Sequence, residues 1–377
     1  MKILLVGSIK AVFIKHFLES FPSGYELDVY DYDDSITEYP GHNVIKPTKW
    51  VKLWKKLHAR PLQYLALKNQ FKKLYKEYDI VNLHYVTPWF TRVMGSTKDK
   101  LSNVVFSYWG SDLFRNDKKK LLKFSPIIGN IGYVTFSSND LYNYHVQLYG
   151  ENSCKRKVSM FPITLIELMD ECDKKYNKDK AEFEYNIAGV AIPRDKTIVA
   201  IGYNGREAQQ HIKVLNAMSS IDSKYRDKIA ILLQMTSGGS REYRESVVAT
   251  AREMGFEVIH FDKYLDDEDV AKIRMITDVY INAQTTDAFS ASVCENLYMG
   301  TSLINASWLK YAELKMSPFS YLEFNNFDDI TGLLVRVMDG EFIPDKETNR
   351  KLVKEYKSRE NCRENWVNIY KEVAENV

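Results

Sequence analysis

Residues 278–300, DVYINAQTTDAFSASVCENLYMG, decide the fold and carry the clearest functional pattern of the chain. Residues 278–283 predict a short buried strand, and in residues 292–299 apolar side chains recur at helical spacing. The turn between them leads into a helix, whose unpaired first amides and positive dipole end favour an anion such as phosphate. Asp287 and Glu295, eight residues apart, can hold ligand hydroxyls. A sugar nucleotide offers both kinds of group.

The same strand-to-helix rhythm runs through both halves of the chain and predicts two doubly wound α/β domains with parallel sheets. The predicted strands are residues 3–6, 26–30, 80–84, 104–108 and 133–136 in the first half, and 197–202, 230–235, 257–261, 279–283 and 302–306 in the second. A charged segment poor in large aliphatic residues, 167–188, predicts the linker. We therefore expect domains over residues 1–185 and 186–350, then a polar helix that includes residues 351–377. Ligands of such domains bind at the carboxyl ends of the strands.

The segment from Asp287 to Gly300 resembles the acidic motif of the retaining GT-B glycosyltransferases of family four: an acid, seven further residues, Glu, a small-residue helix and Gly. The resemblance implies two Rossmann-like domains facing across a cleft, with the terminal helix crossing back to the first. It implies that Asp287, one methylene shorter than the usual Glu, contacts the donor sugar and that Glu295 holds the ribose. The turn residues expected at the donor are Phe289, Ser290, Ala291 and Ser292.

A second segment resembles the donor-phosphate loop of that family, in which Arg follows Gly and Lys comes five residues later. The matching stretch contains Gly202, Tyr203, Asn204, Gly205, Arg206, His211 and Lys213. Arg206 takes the first position, but His211 replaces the lysine, and a neutral imidazole supplies less charge to a diphosphate. Residues 258–270 resemble the loop that covers the nucleobase, with Phe261 and Tyr264 as the expected contacts.

The first half supplies the expected acceptor contacts, His84, Tyr85 and Trp109, at the ends of two predicted strands. The loop from Gly202 to His211 also resembles the lipid-linked fucosaminyltransferases, which invert stereochemistry. An inverting enzyme requires a base, for which Asp112 and His84 are the candidates. Asp112 also fits a loop-capping role, and a single histidine is more often structural than catalytic. The acidic motif favours retention.

The sequence therefore predicts a metal-independent hexosyltransferase with no cofactor beyond its UDP-, GDP- or TDP-sugar substrate. The resemblance places it in bacterial cell-surface polysaccharide or lipid-linked oligosaccharide assembly. Two alternatives use the same architecture: a sugar-nucleotide epimerase and a non-catalytic sugar-nucleotide binder. The net charge of +2 gives no reason to expect nucleic acid as a partner.

A basic amphipathic segment suggests a membrane partner. Residues 43–76 contain ten cations and no acid, and tryptophans and leucines recur among them at helical spacing. Its central residues are Lys49, Trp50, Lys52, Trp54, Lys55 and Lys56. We expect a cytoplasmic protein, with docking on the anionic inner face of the plasma membrane and a polyprenyl-diphosphate-linked acceptor as the hypothesis. The competing interpretation is a solvated helix whose tryptophans belong to the core.

Overall fold

The computed structural model describes residues 1–22, 24–34, 38–96, 101–176 and 184–375, without the side chains of Val12 and Phe13. The chain divides into two compact units, Met1–Pro162 with Arg359–Val377, and Ile163–Ser358. Each is organised around a parallel sheet flanked by helices, as the alternating sequence pattern predicts. The first unit is called unit 1 and the second unit 2.

Unit 1 has a seven-stranded parallel sheet over the described residues, in the order β3-β2-β1-β4-β5-β6-β7. The strands are β1 Lys2–Gly7, β2 Glu26–Asp31, β3 Val44–Ile45, β4 Ile80–His84, β5 Leu101–Tyr108, β6 Ile131–Phe136 and β7 Arg156–Val158. The order reverses between β1 and β4, which puts the carboxyl ends of these strands beside a natural ligand crevice. Residues 3–6 are fully buried, as expected for an apolar run covered on both faces of a sheet.

Helices connect these strands. They are α1 Val12–Ser20, α2 Lys49–Lys56, α3 Arg60–Glu77, α4 Pro88–Gly95, α5 Ser111–Phe114, α6 Lys118–Leu122, α7 Ser125–Ile128 and α8 Asn139–Tyr149. Pro88 fits the first turn of α4, where an amide hydrogen has no partner within the helix, and the Thr87 side chain accepts a hydrogen bond from Phe90 N (3.3 Å). The sequence thus fixes where α4 begins.

Unit 2 has a six-stranded parallel sheet over the described residues, in the order β12-β11-β10-β13-β14-β15. Its elements are α9 Ile166–Tyr176, β8 Asn186–Ile187, β9 Val190–Ala191, β10 Thr197–Ile201, α10 His211–Met218, α11 Ser223–Arg226, β11 Ile229–Gln234, α12 Arg241–Glu253, β12 Glu257–Phe261, α13 Asp267–Ile276, β13 Val279–Asn282, α14 Ala291–Met299, β14 Ser302–Ala306, α15 Ala312–Met316, β15 Leu322–Phe324, α16 Asp329–Met338 and α17 Lys346–Lys357. Its order reverses between β10 and β13.

The ten predicted strands are all present, but the structure divides the chain at Pro162 and not at residue 185. The predicted linker, of which residues 177–183 lie outside the described residues, contains most of α9. This helix belongs to unit 2: its apolar side is buried, and Asp170 and Asp173 have partners on other helices of that unit. Tyr298 Oη donates to Asp170 Oδ1 (2.8 Å), and Lys346 Nζ donates to Asp173 Oδ1 (2.9 Å). This charged part of the predicted linker is therefore a helix that packs within unit 2.

The predicted long terminal helix is two helices, α17 and α18, the latter spanning Arg359–Ala374. Ser358 has an extended backbone, so α17 ends there, and the chain re-enters unit 1. On α18, Trp366 and Tyr370 are buried against Phe17 and its neighbours, and Asn82 Nδ2 donates to Tyr370 Oη (2.6 Å). The apolar residues of the tail thus complete the core of unit 1.

Candidate functional site

Two loops meet where β10 and β13 end, at the point where the strand order of unit 2 reverses. One follows β10, residues 202–210, and the other follows β13, residues 283–290. Hydrogen bonds join the two loops, among them Thr285 N to Ala208 O (2.8 Å), Gln209 Nε2 to Gln284 Oε1 (2.8 Å) and Gln210 Nε2 to Ala283 O (2.7 Å). Gly202 N also donates to Ile281 O (3.3 Å), in β13. The structure therefore brings together the two motifs that the sequence analysis singled out.

The first loop is held by a close backbone contact with Gly239. A Cβ built on Gly239 would lie 1.8 Å from Gly205 O, and its φ of +68° also favours glycine. Gly205 N in turn donates to Ser237 O (2.8 Å), and Asn204 Oδ1 accepts from Arg206 N (3.0 Å). The Arg206 side chain is exposed. The loop thus presents a guanidinium on a fixed backbone.

His211 does not add charge to this loop. Its side chain is buried, its Nδ1 lies 3.2 Å from Tyr243 Oη, and burial lowers the pKa of the imidazole to about 4. The ring is therefore neutral at pH 7. Lys213 is exposed, and its Nζ donates to Gln210 Oε1 (2.8 Å). The imidazole at the position of the family's lysine therefore supplies no positive charge to a diphosphate.

Asp287 uses one carboxylate oxygen on the protein. Oδ2 accepts hydrogen bonds from Ser290 N (3.2 Å) and from the Tyr311 hydroxyl, and within the described chain Oδ1 accepts none. Asn282 Nδ2 donates to the same hydroxyl (2.9 Å), which fixes the phenol. Burial and the Asp287 charge hold the pKa of Tyr311 well above its usual range, so the phenol remains a donor. Asp287 is thus oriented, with one oxygen open.

Glu295 lies in the second turn of α14 and is 7% exposed. Its Oε2 accepts from Arg274 Nε (3.0 Å), and Arg274 Nη1 donates to Gln234 Oε1 (3.0 Å). Within the described residues Oε1 accepts no hydrogen bond. The pairing with arginine holds this buried carboxylate in place. Like Asp287, it has one oxygen left for a ligand.

The turn between the two acids has a strained backbone and a buried cation behind it. Phe289 has φ +53° and is 1% exposed, so its ring is a core side chain and not the predicted donor contact. Lys357 Nζ donates to Phe289 O (3.3 Å). The Ser290 hydroxyl is buried, with no hydrogen-bond partner in the described chain. Helix α14 begins at Ala291, one residue before the predicted helical segment 292–299, and Ser292 lies in its first turn.

Of the two residues predicted to contact the nucleobase, the structure leaves only one accessible to a ligand. Phe261 is buried, and its carbonyl oxygen accepts a hydrogen bond from Met235 N (2.8 Å), so neither its ring nor its carbonyl faces a ligand. Tyr264 is 86% exposed. The physical reason is that β12 ends at Phe261, whose backbone continues the pairing with β11. Tyr264 lies beyond that constraint and remains available.

The candidate acid-base residues of unit 1 have structural roles. Asp112 is buried, and its two carboxylate oxygens accept hydrogen bonds from the backbone amides of Val86 (2.9 Å), Trp109 (3.0 and 3.2 Å) and Gly110 (2.8 Å). Burial raises its pKa to about 6 although these amides lower it. His84 is also buried, its ring centroid 5.6 Å from that of Trp366, and burial lowers its pKa to about 3. Neither geometry supports the inverting base or the His84 acceptor contact.

Tyr85 and Trp109 are half-buried at this edge. Tyr85 has φ +60°, and its hydroxyl lies 3.1 Å from Ser111 Oγ. Trp109 Nε1 donates to His84 Nδ1 (3.3 Å). Both therefore remain candidates for contact with an acceptor, with Trp109 oriented by the buried imidazole.

Arg274 and Tyr311, the residues that orient the two acids, were missed from the sequence. Arg274 had a detectable signal, since it stands among the apolar residues of α13 at a position that the helix buries. Tyr311 had none, because it lies 24 residues beyond Asp287 and approaches it only through the fold.

The basic segment 43–76 of unit 1 contains β3, α2 and nearly all of α3. Trp50 is 54% exposed and Leu53, Leu57, Leu62 and Leu65 are exposed as well, which contradicts a core role for that tryptophan; Trp54 is half-buried. Lys49, Lys52, Lys55 and Lys56 are exposed beside them, with Lys52 Nζ 2.7 Å from Asp34 Oδ2. We call Lys49–Leu57 the α2 surface. No helix in the described ranges is long and apolar enough to cross a membrane.

Comparison with known proteins supports the fold. Residues 2–136 match the family described as glycosyl transferase 4-like. A glycosyltransferase from Rickettsia africae ESF-5 is 14% identical, with 100% of this chain and 99% of that chain covered and a TM-score of 0.71. A sucrose-phosphate synthase from Thermosynechococcus elongatus is 13% identical, with 99% of both chains covered and a TM-score of 0.71. Anabaena HepE in complex with UDP-glucose is 11% identical, with 98% and 99% covered and a TM-score of 0.69. No curated protein matches the chain.

These matches confirm the predicted GT-B fold over the whole chain and the glycosyltransferase resemblance of its N-terminal part.

Proposed function

We propose that this chain, a GT-B protein whose residues 2–136 form a glycosyltransferase domain, transfers a sugar from a nucleoside diphosphate to an acceptor hydroxyl with retention of configuration. The observation that carries the proposal is the pair of half-open carboxylates, Asp287 and Glu295, beside the Arg206 loop. Their open oxygens can accept hydrogen bonds from sugar and ribose hydroxyls. Arg206 and the first amides of α14 can bind the diphosphate.

The reaction exchanges one bond at the anomeric carbon for another. The bond to the donor phosphate oxygen breaks, a bond to the acceptor oxygen forms on the same face, and the acceptor proton passes to the departing phosphate oxygen. Arg206 and the helix amides stabilise the charge that grows on the leaving diphosphate. Because the leaving group takes the proton, this route needs no protein base. It is therefore compatible with the burial and the hydrogen bonds of Asp112 and His84.

We propose a uridine nucleotide as the donor. The similar structure of HepE was determined with UDP, with UDP and glucose, and with UDP-glucose. A thermal-shift screen of UDP, GDP, TDP and CMP tests the base, since a ligand that binds only the folded state raises the melting temperature. UDP should give the largest shift. A shift with GDP or TDP alone would move the assignment to that base.

Replacement of Glu295 tests the site, but the substitution must leave a hydrogen-bond partner for the buried Arg274. Alanine at 295 would leave a buried guanidinium unpaired, at a cost of about 3–5 kcal/mol, so lost activity could reflect unfolding. Glu295→Gln keeps the shape and an oxygen near Arg274 Nε. We expect donor affinity to fall about tenfold with little change in melting temperature. The matched control is Glu341→Gln, an exposed acid paired with Arg336.

Analysis of the reaction products distinguishes retaining transfer from inversion, from epimerisation and from binding without reaction. Retention in the product, followed by NMR, is the expected result, and inversion would contradict the proposed mechanism. Conversion of UDP-sugar to an isomer without acceptor would identify an epimerase. Tight UDP-sugar binding without hydrolysis or transfer would identify a binding protein.

We further propose that the α2 surface docks on anionic membrane, in support of bacterial cell-surface polysaccharide or lipid-linked oligosaccharide assembly. Exposed Trp50 and Leu57 beside four lysines combine apolar contact with attraction to anionic lipid, about 1 kcal/mol per cation near the surface. Flotation with phosphatidylglycerol vesicles should show binding that is lost when Lys52, Lys55 and Lys56 are changed to Glu. The matched control changes Lys118, Lys119 and Lys120 of α6 to Glu. Equal loss in both variants would indicate a net-charge effect and contradict docking.

A further inference from the structure

Lys357 is a buried lysine of unit 2 with almost no polar partner. It is the last residue of α17 and is 5% exposed. Within the described residues no carboxylate lies at salt-bridge distance from its Nζ, and the one hydrogen bond of Nζ goes to Phe289 O (3.3 Å). Lysine is almost never fully buried without a pairing partner, because its head group loses its hydration on burial. The stability of unit 2 therefore does not account for this lysine.

The direction of the side chain is fixed by the packing around it. Lys357 O accepts a hydrogen bond from Ile163 N (2.9 Å), which holds the end of α17 against the first residue of unit 2. Nζ lies 5.5 Å from the centroid of the Phe289 ring. That ring is itself held in the core, 5.6 Å from the ring of Tyr311. The amine is thus directed at the Phe289 carbonyl by a fixed backbone and a fixed ring.

The carbonyl that Lys357 contacts belongs to the peptide group that also contacts Asp287. Phe289 O and Ser290 N are the two polar atoms of one planar peptide, and Ser290 N donates to Asp287 Oδ2 (3.2 Å). Hydrogen bonds in such a chain polarise one another, so a donor on the carbonyl strengthens the amide as a donor. One rigid group therefore connects Lys357 to Asp287.

The backbone at this peptide needs a restraint. Phe289 has φ +53°, a conformation that is uncommon for a bulky residue and persists where the surrounding structure enforces it. Ser290 follows directly, and α14 begins at Ala291. Rotation of the 289–290 peptide would turn the Ser290 amide away from Asp287 and would redirect the first turn of α14. The hydrogen bond from Lys357 opposes that rotation.

We infer that Lys357 is a positioning residue for the donor sugar. It holds the 289–290 peptide, the peptide holds Oδ2 of Asp287, and Oδ1 is left directed at the sugar. This inference rests on the proposed function, because Lys357 acts through the carboxylate that contacts the donor. It assigns to the site a residue that the sequence motif does not contain.

Calorimetry on the full chain tests the inference with two probes, UDP and UDP-glucose, because the ratio of their affinities reports the sugar contact. Lys357→Met should lower the affinity for UDP-glucose relative to UDP about fivefold and leave the UDP affinity unchanged. The melting temperature should stay the same or rise, since methionine is a flexible apolar side chain without a desolvated amine. Lys351→Met, at an exposed lysine of the same helix, is the matched control and should change neither quantity.

A double-mutant cycle with Asp287→Asn tests the route. If Lys357 acts through Asp287, adding Lys357→Met to Asp287→Asn should lower the affinity ratio little further. A full additional fivefold loss would show that Lys357 acts elsewhere and would overturn the inference. A lower melting temperature with an unchanged ratio in Lys357→Met would make Lys357 structural.

The same measurements separate this inference from the proposed function. A reduced ratio in Asp287→Asn together with a wild-type ratio in Lys357→Met would refute the role of Lys357 alone. A wild-type ratio in Asp287→Asn would remove Asp287 from the donor sugar, and the proposed function would lose its support together with the inference.

Discussion

Asp112 and Asp287 both lie close to the carboxyl end of a strand, Asp112 in the first turn of α5 and Asp287 in the loop before α14. In unit 1 both oxygens of Asp112 are bound by backbone amides from two segments of the chain. In unit 2 the amide of Ser290 and the phenol of Tyr311 use only Oδ2 of Asp287. Asp112 therefore has no oxygen left for a ligand, whereas the oxygen left open on Asp287 is the one that the proposed function requires. Sequence position alone does not distinguish the two acids.

The largest expected difference between the two acids is in activity. Asp287→Asn should lower the rate of sugar transfer about 10²- to 10³-fold, because the amide replaces a charged acceptor at the reacting sugar. The amide oxygen of the variant can still accept the hydrogen bond from Tyr311, so the melting temperature should change little. Steady-state kinetics and thermal unfolding of the same preparation measure both effects. A variant with full activity would remove Asp287 from the site.

Stability should show the opposite order. Asp112→Ala leaves three buried amides without their acceptor and should lower the free energy of unfolding of unit 1 by about 3 kcal/mol. Five of the six tryptophans lie in unit 1, so urea unfolding followed by tryptophan fluorescence reports mainly on that unit. Asp287→Ala is the comparison and should shift this transition far less. Equal shifts would mean that Asp287 is also structural.

How far the sequence alone distinguishes these acids depends on where their partners lie. Apolar runs such as residues 3–6 predict central strands directly, because both faces of a parallel sheet are covered. The helix after Asp287 was also predictable from local spacing. By contrast, Asp112 is bound by the amide of Val86, and Asp287 by the phenol of Tyr311, over separations of 26 and 24 residues. Such contacts form only when the strands assemble. The sequence motif therefore suggested a catalytic base at Asp112, where the folded chain uses the carboxylate to hold backbone amides in place.

The pH dependence of stability sharpens the contrast within unit 1. His84 has a pKa of about 3 in the folded chain, below its usual 6.5, so its contribution is present above pH 6.5 and is lost as pH falls. From pH 7 to pH 5 this loss is about 2 kcal/mol. Asp112, with its pKa raised to about 6, acts in the opposite direction, since its protonation favours the folded state as pH falls through 6.

The difference between wild type and His84→Gln isolates the histidine from Asp112. Glutamine keeps an acceptor for Trp109 Nε1 but does not titrate. Its urea-unfolding free energy, measured by tryptophan fluorescence at pH 7, 6 and 5, should decrease less on acidification than that of wild type. Parallel pH profiles for the two proteins would show that His84 is not buried as a neutral ring in solution.

The smallest expected effect is that of removing the Tyr311 hydroxyl, which donates a hydrogen bond to Oδ2 of Asp287. Tyr311→Phe removes the hydroxyl that donates to Oδ2 and accepts from Asn282, at a cost of about 1 kcal/mol in the unfolding free energy. If orientation of Asp287 matters for transfer, kcat should fall about tenfold while KM for the donor changes less, because the binding groups remain. Tyr321→Phe, at a half-buried tyrosine elsewhere in unit 2, is the control. A fall in stability with unchanged kcat would assign Tyr311 to packing alone, and the open oxygen of Asp287 would then need no support from its neighbour.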